Sequence, residues 1–119
     1  MIRNAWPTAA GIRSGELAAV DVISAALARI AELDAGLNAF TVVAAETALA
    51  QAAEVDRGER SGAPGRVPIS VKDHIWVRGL PATNGSRSLP LDLVCTSGAT
   101  SVRLQICYTK DVRVAGGGL

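Results

Sequence analysis

The densest run of special residues in this 119-residue chain is VPISVKDHIWVRGLPATNGSRS, residues 67–88. Val67, Ile69 and Val71 alternate with Pro68, Ser70 and Lys72, and a period of two predicts a short strand with one apolar and one polar face. Lys72 is therefore expected to point away from the aliphatic residues. Asp73, His74, Ile75, Trp76 and Val77 follow, then a turn through Gly79 and Pro81 and a Thr83-Asn84-Gly85-Ser86 loop. A strand that delivers a lysine to the mouth of such a loop is one way to build a site. By residue chemistry alone, the bland reading is a solvated lysine or one paired with a neighbour such as Asp73.

Taken together, Pro68-Ile69-Ser70-Val71-Lys72-Asp73-His74-Ile75 and Gly79-Leu80-Pro81-Ala82-Thr83-Asn84-Gly85-Ser86-Arg87 resemble the lysine segment of the amidase signature family. That family holds serine-dependent amide hydrolases and the A subunit of the tRNA-dependent amidotransferase. The resemblance runs from about residue 9 to residue 89: Ser14-Gly15-Glu16-Leu17 closes a first helix, a second ends near Gly36, Leu37-Asn38-Ala39-Phe40 opens a strand, and an alanine-rich helix precedes the loop. Arg66 stands where the family commonly has glycine, and the loop at residues 61–66 is slightly short.

The resemblance implies an α/β fold, the N-terminal and incomplete portion of the amidase signature fold, with helices packed on a mixed sheet. It also implies a Ser-Ser-Lys catalytic unit in which Lys72 is the lysine, held neutral by desolvation and neighbouring dipoles. That amine would take a proton through a bridging serine and return it to the departing nitrogen. The two serines and the oxyanion donors are expected from a later Gly/Ser-rich segment. Ser86, Ser88, Ser97 and Ser101 lie in no such stretch, so none takes that role. The expected function is hydrolysis of linear amides, with a small-molecule amide bound in the full-length enzyme and with this chain inactive alone but able to associate with the missing C-terminal part. Two other readings stay open: a non-enzymatic α/β interaction module or degenerate fragment, and, within the family, an amidotransferase A subunit.

Composition sets the outer bounds. Apolar residues make up 49% of the chain and aromatics 3%, so the interior must be built from Ala, Val, Leu and Ile. A net charge of +1 gives no electrostatic case for nucleic acid, and Trp76 and Tyr108 are too few for a base-stacking platform. Glu46, Gln51 and Glu54 interrupt the most hydrophobic region, which argues against a membrane span. The N-terminal residues 1–7 lack a secretory pattern, leaving the cytoplasm as the expected compartment. One histidine and two distant cysteines, Cys95 and Cys107, give no metal-ligand spacing; both cysteines read as free thiols, and neither a metal nor a cofactor is expected. No phosphate-binding or dinucleotide-binding glycine motif is present. His74 beside Asp73 reads as an ordinary surface or loop histidine, and the Thr83 to Ser86 segment as a turn held by side-chain to backbone bonds.

Along the chain, residues 8–13 predict a short helix stopped at Gly15. Val20, Ile23, Leu27 and Ile30 place one apolar face on a second helix, with Asp21 near its start and Gly36 as its left-handed stop. Ala18 and Ala19 provide no side-chain cap, a lack worth about 1 kcal/mol. Residues 40–43 read as a strand, and residues 44–57 as a helix with a narrow stripe of Ala45, Leu49, Ala52 and Ala53. The order helix, helix, strand, helix, strand suggests a layered α/β unit whose two strands could be parallel neighbours. Residues 1–96 are taken as the N-terminal part of the amidase domain and residues 97–119 as a divergent tail. Within that tail, residues 97–106 could make two helical turns and the rest fits no element. A shifted reading frame near Val102 with early termination would explain it, and the nucleotide sequence tests that.

Overall fold

Apolar periodicity sets the helices. The computed structural model describes residues 4–59, 67–73, 75–83, 86 and 88–90, and the backbone of 105–109. Helix α1 (Ala5–Ser14) starts earlier than expected, with Pro7 in its first turn, and stops at Gly15, whose φ of 80° turns its N–H onto the Ile12 carbonyl. That left-handed position suits a residue without Cβ.

Helix α2 (Ala19–Leu37) carries the predicted face: Ile23 is buried, and Val20, Leu27 and Ile30 pack against the same core. Asp21, Arg29 and Glu32 are exposed. Ala18 makes no side-chain cap, yet the N-terminus is not bare. Asp56, 37 residues further along the chain, accepts the Ala19 N–H at 2.6 Å and, through its other oxygen, the Val20 N–H at 3.0 Å. The cap comes from a tertiary neighbour, and the negative charge sits at the positive end of the helix dipole.

The far end also departs from expectation. Gly36 lies inside α2, and the left-handed residue is Asn38, at φ 49°. Asparagine tolerates this conformation. Asp34 Oδ1 then accepts the N–H groups of Ala39 at 2.6 Å and Phe40 at 3.2 Å, so donors that the turn would leave open are satisfied.

Strand β1 (Phe40–Val43) leads into helix α3 (Ala45–Asp56), which packs against α2. Its buried residues are Ala48, Ala52 and Val55, with Leu49 partly covered. The stripe is thus rotated from the predicted one: Ala45 and Ala53 are only half-buried, because Val55 joins the core and turns the helix toward it. Ala19, Ala48 and Ala52 are fully buried, and side chains this small let α2 and α3 approach closely. Beyond α3, Arg57 and Glu59 form an exposed two-point ion pair at 2.8 and 2.9 Å. The hydrogen bond from Arg57 holds the Glu59 carboxyl below its usual range, and Glu59 raises Arg57 in turn.

Strands β2 (Ile69–Lys72) and β3 (Gln105–Thr109) complete a mixed three-stranded sheet of order β1-β3-β2. Strand β3 runs antiparallel to β1 and parallel to β2. Two expectations are corrected here. The strands on either side of the alanine-rich helix are not neighbours, because β3 lies between them and they run in opposite directions. Gln105 and Ile106 belong to that central strand and not to the end of a helix; residues 97–104 lie outside the described residues. The register slips by one between Phe40 and Val42, which leaves Thr41 as an extra residue in β1.

Candidate active site

The period of two holds from Ser70 to the residue after β2. Val71 is buried, Lys72 is exposed, and Asp73 is 2% exposed. Ile69 breaks the pattern at 43% exposed, so the covered face of this strand is narrower than the sequence suggests. Val71 packs with Val77, Val42 and Leu80 in a second, small apolar cluster. Lys72 closes the strand, and its carbonyl accepts the Ile75 N–H at 3.0 Å. The chain then turns again, with the Leu80 N–H on the Val77 carbonyl at 3.2 Å and Gly79 at φ 85°. A positive φ at the third position of a four-residue turn is where glycine is required.

Asp73 is the centre of the polar part. Its Oδ1 accepts the Thr83 N–H at 3.0 Å, and its Oδ2 accepts the Thr83 hydroxyl at 2.5 Å and the Thr41 hydroxyl at 3.4 Å. Thr83 is itself only 4% exposed. A buried carboxylate is tolerated when donors surround it, and the donors here include groups from two separate segments. Through Asp73 the end of β2 is tied to the bulged residue of β1, across the intervening β3, and to the loop that follows the Gly79 turn.

Lys72 thus stands exposed on a rigidly anchored base. Apolar surface is close along the chain, with Ile75 43% and Trp76 59% exposed. His74, Asn84, Gly85 and Arg87 lie outside the described residues, as do Ser97, Ser101 and Cys95. Ser86 and Ser88 are exposed and belong to a turn: the Ser86 N–H donates to the Thr83 carbonyl at 2.8 Å, and Ser86 Oγ accepts the Ser88 N–H at 3.2 Å. Among the described residues no three His, Cys, Asp or Glu side chains gather as a metal site, and no helix is long and apolar enough to cross a membrane.

Residue-by-residue reading left Asp73 as a neighbour of Lys72 and His74 and missed its bond to Thr83. A signal was there. The same alternation that turns Lys72 outward puts Asp73 on the side of Val71, and a carboxylate on an apolar face needs donors from elsewhere.

Comparison with known proteins places this geometry in context. The family model for Amidase matches residues 21–103, more than half of the chain. The A subunit of the glutamyl-tRNA(Gln) amidotransferase of Streptomyces coelicolor is 48% identical over 85 residues, covering 68% of this chain and 17% of that protein. Its counterpart in Chromohalobacter salexigens is 37% identical over 112 residues, covering 92% of this chain and 21% of that protein. The chain therefore spans about a fifth of the length of such relatives. Among solved structures, a bacterial aryl acylamidase of the amidase signature enzymes superposes with a TM-score of 0.78 at 25% identity, over 91% of this chain and 25% of that one. A protein of a vestigial complex, described as revealing the evolutionary origins of an s-triazine catabolic enzyme, gives 0.76 at 26% identity, over 91% of this chain and 26% of its own.

Proposed function

This chain belongs to the amidase family, and from that premise we propose that it supplies the lysine-bearing segment of an amide hydrolase whose catalytic amine is Lys72. The single observation that carries the reading is the placement of Lys72: an exposed side chain at the end of β2, followed at once by a buried and fully engaged Asp73. In a Ser-Ser-Lys mechanism such an amine takes a proton from a serine by way of a second serine, and gives it to the leaving nitrogen as the amide C–N bond breaks. These 119 residues contain no Gly-Ser-Ser-Gly-Gly type stretch, so both serines and the oxyanion donors would come from elsewhere. Desolvation of Lys72 would come from the same source, laid over the exposed Ile75 and Trp76. A small linear amide is the substrate class that this chemistry fits, and the cytoplasm the compartment we assign.

Residues 1–96 act in this reading as the domain portion and 97–119 as a divergent tail, from which β3 pairs between β1 and β2. A second reading within the family, the A subunit of a tRNA-dependent amidotransferase, is supported by the names of relatives such as that of Streptomyces coelicolor. The experiment mixes the purified chain with a separately produced portion of a related amidase that lacks the counterpart of residues 21–103. Release of ammonia or an aryl amine from simple amides supports a hydrolase. Stable association without turnover favours a non-enzymatic interaction module instead.

A further inference from the structure

We propose that Asp73 is a positioning residue for Lys72, acting through its clamp on Thr83, so that Thr83 helps fix the root from which the lysine amine extends. The inference deepens the proposed function and rests on Lys72 being the amine of that site. Three observations carry it. Among the described residues Asp73 and Ile23 are the largest side chains that are fully buried, and the burial of a carboxylate is costly unless hydrogen-bond donors compensate it. Two of its partners are far apart in sequence, at positions 41 and 83. The residue immediately before it is the exposed Lys72, whose carbonyl is held by the Ile75 N–H at 3.0 Å.

The physical consequence is a lever with a fixed pivot. Consecutive residues at the end of a strand project to opposite sides, so pinning the Asp73 side chain on one side fixes the direction of the Lys72 Cα–Cβ bond on the other. Thr83 holds the pin twice, by its N–H to Oδ1 at 3.0 Å and by its hydroxyl to Oδ2 at 2.5 Å. Two bonds from one residue to the two oxygens of one carboxylate leave that carboxylate no freedom to rotate. Thr41 contributes a longer contact of 3.4 Å and acts as a stop on the β1 side. Catalysis by a proton-shuttling amine requires placement to within a fraction of an ångström, and a flexible four-carbon side chain reaches such precision only from a fixed root.

The test follows the Lys72 side chain in the full chain by NMR, using its Cε–Hε correlation and its 13C relaxation. Thr83→Val removes the hydroxyl but keeps the N–H, Thr83→Ser keeps both, and Asp56→Ala serves as a remote destabilising control. The expected result is a shifted, more mobile Lys72 signal in Thr83→Val, a signal like that of the natural chain in Thr83→Ser, and no change in Asp56→Ala. Amide protection at position 83 should fall about tenfold in Thr83→Val. If Thr83→Val does not fold, Asp73→Asn, which keeps the acceptor for the Thr83 N–H, should move Lys72 in the same direction by less. Lys72 signals that stay unchanged in the folded variants, or that move equally in Asp56→Ala, overturn the proposal. Failure of the amide hydrolase reading shows itself separately, as absent turnover in the mixing experiment with the Lys72 signals still responding to Thr83.

Discussion

The Thr83 hydroxyl and Asp73 Oδ2 lie 2.5 Å apart, joining two side chains that are each at most 4% exposed across ten residues of chain. Charge-assisted bonds of this kind are about twice as strong as neutral ones, and what they leave behind when broken is a buried group without a partner. Asp73→Leu strands both the Thr83 N–H and its hydroxyl. A loss of about 2–4 kcal/mol is expected in urea unfolding of the chain, against about 1–2 kcal/mol for Thr83→Val, which leaves the N–H bond intact. Equal midpoints for Asp73→Leu and the natural chain would mean that the carboxylate contributes nothing to the fold.

The cap on α2 gives a second prediction. Asp56 holds the Ala19 and Val20 N–H groups at 2.6 and 3.0 Å, so Asp56→Ala should cost about 1–2 kcal/mol. Ala18 occupies the N-cap position with extended backbone, at φ −81° and ψ 136°, the conformation in which serine caps well. Ala18→Ser should therefore restore roughly half of the loss in the Asp56→Ala background and add little to the natural chain. Thermal melts of the four proteins measure this, and a serine that stabilises both backgrounds equally would contradict the account.

Exposed charge gives a third. The bond from Arg57 lowers the folded-state pKa of Glu59, and a depressed carboxyl contributes stability at neutral pH that is lost as pH falls through its folded value. Both partners are solvent-exposed, which keeps the contribution small and sensitive to salt. NMR titration should find Glu59 titrating below an ordinary glutamate, and Arg57→Ala should return it to the ordinary value. An unchanged titration in Arg57→Ala would show that the pair does not persist in solution.

How much of this was legible in the sequence depended on the range of the interaction. The face of α2 could be read because Val20, Ile23, Leu27 and Ile30 repeat at helical spacing within one element. The same local logic found β2 and the turn at Gly79. The cap from Asp56 could not be read, because nothing local to Ala18 encodes a partner 37 residues away from Ala19. Asn38 took the left-handed position from Gly36 because Asp34 secures the two N–H groups after it, a pairing visible only once the helix is built. Strand β3 was missed because Gln105–Thr109 has no clean alternation, and its place between β1 and β2 is decided by pairing on both edges. At the candidate site, Lys72 is proposed from resemblance, and its exposure is legible in the periodicity. The role of Thr83 needed the fold.

The most direct test of the central claim is a comparison of Lys72 and Lys72→Met in the reassembled enzyme, with the rate of amide hydrolysis as readout. A methionine of similar length keeps the shape and removes the proton carrier. The account predicts turnover with the natural chain and a fall of about a hundredfold or more with Lys72→Met, while association of the two parts is unaffected. Equal turnover by the two proteins would contradict it, because the amine at the end of β2 would then take no part in the chemistry.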